Sequence, residues 1–178
     1  IGIIVEILSR CNCREFRVIL VLVGTNFFSF DRLVEEVDLK IAETHEVVMQ
    51  IGVTKYIPVN AKSFKYKDKS FIMDQIKKSN LIITHGGYGS MMDSILLGKR
   101  VIAVPRKLEY KECLDNQMEL VQYFESKKYV VGCYDINNLQ YLVEQCLDGK
   151  FSFSKYKAES NNRIKDLIGQ ELKSYLSL

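Results

Sequence analysis

The chain has 178 residues, enough for one domain with a full core and too few for two of ordinary size. It is 47% hydrophobic and 26% charged with only two prolines, a composition that excludes extended disorder and low-complexity architecture. Its 25 basic and 22 acidic residues are interspersed and leave a net charge of +3, too weak and dispersed for a nucleic-acid footprint.

Residues 1–16 run into the first strong strand and are set apart as an N-terminal extension. Val18 to Val23 is a continuous apolar run, as expected of a parallel strand covered on both faces, and far short of the roughly 20 residues a membrane helix needs. Gly24-Thr25-Asn26 breaks it. Phe30, Leu33, Val34, Val37 and Ile41 then form a helical stripe behind Ser29 or Asp31 as N-cap. Val47 to Ile51 reads as a second strand closed by Gly52. The stretch from Val53 to Lys69 is irregular, with alternation around Ser63 to Tyr66. Ser70 reads as the cap of a helix carrying Ile72, Met73 and Ile76.

Leu81 to Thr84 is a strand that meets a glycine-rich turn, His85-Gly86-Gly87-Tyr88-Gly89-Ser90, and the helix that follows ends at Gly98. Val101 to Val104 is a strand stopped by Pro105. Asn116 to Phe124 and Leu139 to Leu147 read as helices, with Tyr129 to Gly132 a strand between them. Ile164, Leu167, Ile168, Leu172 and Tyr175 lie on one face of an expected amphipathic helical tail over 151–178. The alternation predicts a single Rossmann-like, doubly wound α/β domain over 17–150, with a mostly parallel sheet and its ligands at the carboxyl ends of the strands.

The glycine turn carries the strongest chemical signal. Gly86, Gly87 and Gly89 with Ser90 expose main-chain N–H groups at the positive end of a helix, which suits a pyrophosphate. The spacing is GGxG, so it matches neither the dinucleotide GxGxxG nor a P-loop, and a nicotinamide-binding domain is disfavoured. The competing reading is a tight strand–helix turn. Gly24 and Thr25 form a second, weaker ligand turn. Asp93 suits ribose hydroxyls, or equally compensates the helix dipole. His85 can contact a phosphate, take a proton, or serve structure alone. Arg106, Glu112, Asp115, Asn116 and Gln117 form a polar loop on the same edge; taken alone, it reads as a solvated loop.

Cys11, Cys13, Cys113, Cys133 and Cys146 have no paired metal-ligand spacing, so the expectation is reduced thiols in a cytosolic protein and no zinc.

In order and spacing, Val23-Gly24-Thr25, Phe30-Asp31-Arg32-Leu33, Gln50-Ile51-Gly52, Ile83-Thr84-His85-Gly86-Gly87 with Gly89-Ser90, Gly98-Lys99, Val104-Pro105-Arg106 and Asp115 with Gln117 resemble the glycosyltransferase family 28 C-terminal domain. Within it, the chain is similar to the small donor-binding subunits of split transferases, above all those of bacterial capsule and exopolysaccharide synthesis. The resemblance implies the C-terminal half of a GT-B enzyme. Such an enzyme moves a sugar from a UDP-sugar to a lipid-linked oligosaccharide with inversion, without a metal or other cofactor. A membrane-associated partner subunit would bind the acceptor and hold this cytoplasmic chain at the membrane's inner face.

By the same resemblance Gly86, Gly87, Gly89 and Ser90 hold pyrophosphate, Asp93 the ribose and Gln117 the sugar. Asp93 is shorter than the family's glutamate, Cys113 and Asn116 replace histidines, and Arg100 replaces a proline. A non-catalytic scaffold subunit that has lost donor recognition is the alternative reading. His85 is the one candidate base within this chain.

Overall fold

The computed structural model describes residues 17–114 and 116–156. The N-terminal extension, Asp115 and the expected helix around Ile164 to Tyr175 lie outside the described residues. Six parallel strands form one sheet: β1 (Val18–Leu22), β2 (Glu46–Gln50), β3 (Lys62–Phe64), β4 (Leu81–His85), β5 (Arg100–Val104) and β6 (Val131–Gly132), in the order β3-β2-β1-β4-β5-β6. Helices α1 (Asp31–Lys40), α2 (Lys69–Lys78), α3 (Tyr88–Leu96), α4 (Met118–Ser126) and α5 (Leu139–Leu147) cover both faces. The expected class is therefore observed.

Period-two alternation within each apolar strand divides the core. Ile19, Val21, Leu81, Ile83, Ile102 and Val104 pack with Leu33, Val34 and Val37 of α1 and with Leu139 and Val143 of α5. Leu20, Leu22, Ile82, Val101 and Ala103 face the opposite way, onto Ile76, Met91, Ile95, Val121 and Phe124. A strand buried on both faces has no polar positions to show, which is why these runs are uninterrupted.

Helix ends were less legible. Gly98 stands where expected, with φ +66°; its N–H donates to Ile95 O and that of Lys99 to Ser94 O, the paired bonds of a Schellman closure. The N-cap of α2 is Asp68, which accepts from Phe71 N at 2.8 Å, and not Ser70, whose hydroxyl donates to the same carboxylate. Phe30 is the N-cap of α1, so neither Ser29 nor Asp31 fills that place. Instead Asp31 accepts the N–H groups of Lys55 and Tyr56 at 2.9 and 2.7 Å.

No helix forms between β2 and β3. That crossover is a loop fastened to Asp38, a fully buried carboxylate of α1 that accepts from Tyr56 Oη and from the N–H groups of Val59, Asn60 and Ala61. Burial alone would raise the Asp38 pKa, but these donors together hold it below the usual carboxylate value.

Arg100 sends Nη1 to Cys146 O and Leu147 O at 2.9 and 3.2 Å. It caps the carboxyl end of α5 with a cation, as the helix dipole favours. Burial pushes the Cys133 and Cys146 thiols up to about 12, which makes them inert core groups.

After α5 the chain carries no helix over 151–156 and returns across the domain. Phe151 and Phe153 pack on one core face and Tyr156 on the other, while Ser154 N donates to Lys128 O. The packed domain thus runs past the expected boundary at 150, because these aromatic side chains complete both core layers.

Candidate functional site

The strand order reverses between β1 and β4, so the chain leaves their carboxyl ends in opposite directions and opens a crevice there. Gly24, on β1's exit, and the turn from His85 to Ser90, on β4's exit, line it. Gln117 reaches it from the start of α4.

His85 organises this crevice. Its Nδ1 accepts the Gly87 N–H at 3.0 Å, and Ser90 Oγ lies 3.4 Å from Nε2. The ring is wedged between two glycines. A Cβ at Gly87 would stand 2.0 Å from its Cε1, and one at Gly24 2.5 Å from its Nε2. Gly24 also has φ +79°, a left-handed backbone that glycine adopts without strain, and its N–H donates to Gln50 Oε1. Gly86 is closed in by Val121 and Gln117, 2.8 and 2.9 Å from where a Cβ would sit. Three of the four glycines are therefore required by packing around one imidazole and one helix.

Gly89 differs. It lies in the first turn of α3 with open space around its missing Cβ. Among the described residues, the N–H groups of Tyr88, Gly89 and Ser90 donate to nothing, and the N-cap Gly87 brings no side chain to cap them. The positive helix end is open to the crevice.

Burial above all, with the Arg106 cation adding to it against an opposing hydrogen bond to Gln117, draws the His85 pKa down to about 4. With Nδ1 occupied as an acceptor, the neutral ring carries its proton on Nε2, which faces Ser90 Oγ. A base so weak, its lone pair engaged, is unsuited to deprotonate an acceptor.

A heteronuclear titration is expected to show the Nε2–H tautomer with no protonation between about pH 5.5 and 8. Because the folded pKa lies below 6.5, the unfolded chain takes up the proton first. This contribution to stability is complete above about pH 6.5 and is lost as pH falls through about 4. An imidazole titrating near its free value would overturn the assignment.

The other expected site residues separate. Arg106 is 2% exposed, so the solvated-loop reading of it fails. Nη1 donates to Phe28 O, Ser29 O and Glu112 O and Nη2 to Val23 O, at 2.9 to 3.1 Å, with the Phe30 ring centroid 4.4 Å from Cζ. Nη1 and Nη2 are thus engaged by carbonyls of the fold, while the buried Nε donates to nothing among the described residues. Gln117 Oε1 accepts the Arg106 N–H at 3.1 Å. Asn116 turns its Oδ1 back to Met118 N, as a helix-starting Asx turn. Thr25 is exposed on the rim. Asp93 is half-buried on α3 and accepts from Lys69 Nζ, an ion pair that joins α2 to α3. Only the folded chain pairs Lys69 with Asp93.

Sequence reasoning missed a second concavity on the same edge. Arg32, Lys55, Tyr110, Lys111 and Glu112 line it, with a volume of about 460 Å³. No local motif marks it, since its walls follow three different strands.

A parallel doubly wound sheet with a glycine turn and an open helix end at its switch point defines a Rossmann-like α/β domain of the kind that forms the C-terminal half of GT-B glycosyltransferases. The chain belongs to the glycosyltransferase family 28 C-terminal domain, whose family model matches residues 18–170. No curated protein matches it.

Among solved structures it is similar to the glycosyltransferase SnogD from Streptomyces nogalater, with 16% identity and TM-score 0.55 over 78% of this chain and 37% of that one. Os79 from O. sativa in complex with UDP gives 15% identity and TM-score 0.58 over 82% and 34%. Acinetobacter baumannii MurG gives 13% and 0.55 over 80% and 44%. At these identities the likeness is one of fold, and this chain spans less than half the length of each.

Proposed function

We propose that the chain is the donor-binding part of an inverting, UDP-sugar-dependent glycosyltransferase that acts on a lipid-linked glycan. The observation that carries this reading is the set of unpartnered N–H groups of Tyr88, Gly89 and Ser90 at the α3 N-terminus, beside the His85 Nε2–H donor. Together they make an anion cradle at the switch point. The family membership and a neighbour solved with bound UDP support a nucleoside diphosphate as its occupant.

In this reading the acceptor hydroxyl attacks the anomeric carbon from the face opposite the nucleotide. The bond to the β-phosphate oxygen breaks and its electron pair leaves with UDP. The N–H groups, the helix end and His85 meet that growing charge, the kind of preorganised stabilisation worth several kcal/mol, and no metal ion or other cofactor is called for. Asp93, drawn from Lys69, faces ribose hydroxyls, while Gln117 reads the sugar. Gly24 and Thr25 bound the crevice opposite. The hydroxyl's proton passes to a base outside this chain.

With the base placed outside this chain, the resemblance to split transferases favours a membrane-associated subunit that binds the acceptor and draws this chain to the cytoplasmic membrane face. No helix among the described residues is long and apolar enough to cross a membrane.

Calorimetric titration with UDP, with ADP and NAD as controls, tests the donor site. Gly89→Ala is the informative variant, since nothing within the fold occupies its Cβ space. Alanine should stabilise the helix by about 0.5–1 kcal/mol. UDP affinity should nevertheless fall about tenfold, because the methyl intrudes where the diphosphate approaches. A protein that binds no UDP, or binds it equally well with Gly89→Ala, would sink the reading.

A further inference from the structure

The concavity near the α1 N-terminus is built independently of the glycine turn. Its walls come from segments that follow β1, β2 and β5, so it opens on the same edge as the crevice. Five of its side chains set its electrostatics: Arg32, Lys55 and Lys111 against Asp31 and Glu112. Both carboxylates are consumed from within.

Asp31 takes the Ser29 hydroxyl and the Lys55 and Tyr56 N–H groups. Glu112, 5% exposed, takes Arg32 Nε and Nη2 at 3.0 and 2.9 Å and the Lys107 N–H at 3.0 Å. Among the described residues Arg32 Nη1, Lys55 Nζ and Lys111 Nζ are left with no hydrogen bond or ion pair. Among the described residues, the cavity therefore presents unspent cationic donors and no unspent carboxylate.

The arrangement is also held in place. Arg32 is locked by its two-point bond to Glu112, with the Tyr110 ring centroid 5.3 Å from its Cζ. Lys111 sits at φ +56°, ψ +34°, a left-handed conformation that a lysine rarely adopts, and this backbone carries its side chain to the cavity wall.

We propose that this cavity is a second oxyanion site, separate from the donor crevice, that takes the phosphate or diphosphate group of the lipid-linked acceptor. The acceptor assignment rests on the glycosyltransferase reading; the anion site itself does not. One free guanidinium nitrogen, Arg32 Nη1, and two ammoniums fit a tetrahedral oxyanion better than a neutral sugar or a cation. Its place on the strand-end edge lets an acceptor anchored there meet a donor held at the glycine turn.

The test follows amide shifts of the full chain on titration with inorganic pyrophosphate, in about 0.15 M salt so that diffuse attraction is screened within about 8 Å. Saturable shifts at Lys55, Tyr110 and Lys111 are expected. Affinity at these amides should fall about tenfold or more in Lys55→Ala/Lys111→Ala, and the Lys55→Arg/Lys111→Arg protein should retain it. Both lysines are exposed, so their replacement leaves the core untouched.

No saturable shift at these amides, or equal affinity in the alanine protein, would overturn the site. Phosphatidylcholine vesicles with and without a polyprenyl diphosphate then identify the source. Binding of the free anion without the lipid-borne one would overturn the acceptor assignment. A UDP titration on the same sample reports at Gly89 and Ser90, so failure of the donor reading is seen separately from failure of this one.

Discussion

Arg106→Lys is expected to destabilise the domain by about 3 kcal/mol although it keeps the charge. The guanidinium holds carbonyls of three segments: Val23 at the end of β1, Phe28 and Ser29 in the loop before α1, and Glu112 in the loop after β5. An ammonium has three donors at a single point, so it cannot span Val23 O on one side and the other three on the opposite side. It also loses the flat contact with Phe30 and leaves carbonyls buried and unbonded.

Burial above all pulls the Arg106 pKa down to about 10, with Glu112 opposing, so the arginine stays charged at neutral pH. Lysine, starting lower, would meet the same burial with fewer bonds. Urea unfolding checks this through a lower midpoint at unchanged slope. Arg106→Met, of similar length, should cost about as much, since the carbonyls rather than the charge set the penalty. A lysine variant that unfolds at the wild-type midpoint would show that the clamp contributes little.

The second expectation concerns the glycines around His85. Gly87→Ala alone should cost about 2–3 kcal/mol and abolish measurable UDP binding, because its methyl would overlap the imidazole. In a His85→Ala background the same change should cost about 0.5 kcal/mol or less, a coupling of about 2 kcal/mol in a double-mutant cycle. Gly24→Ala should behave differently. Removing the ring relieves its clash, but φ +79° remains, so about 1 kcal/mol should persist in either background. Equal costs for Gly87→Ala with and without His85 would mean that something other than the ring requires that glycine.

Much of the fold was legible from the chain alone. The unbroken apolar runs of β1, β4 and β5 can be satisfied only between two helical layers, and Gly98 closes α3 where its position suggested. The apolar run Leu81 to Thr84 puts the glycine turn at a strand end. The reasons for its glycines were not legible. The sequence reading treated Gly86, Gly87 and Gly89 as a single anion-binding device. In the structure Gly87 makes room for His85, Gly86 for Gln117 and Val121, and Gly89 alone faces open space.

Arg106 shows the same limit more sharply. As part of Pro105-Arg106 it resembled a loop residue, yet it bonds Val23 across 83 positions of chain. No local pattern singles out Asp38, yet in the fold its carboxylate fastens the loop that stands in for a helix between β2 and β3. Hydrophobic periodicity and glycine placement are local, governed by backbone geometry and by which face must leave water, so the sequence alone determined them here. The partner of a buried charge depends on which distant segments the sheet order brings together, so tertiary structure alone decided the Arg106 clamp, the His85 wedge and the cationic cavity.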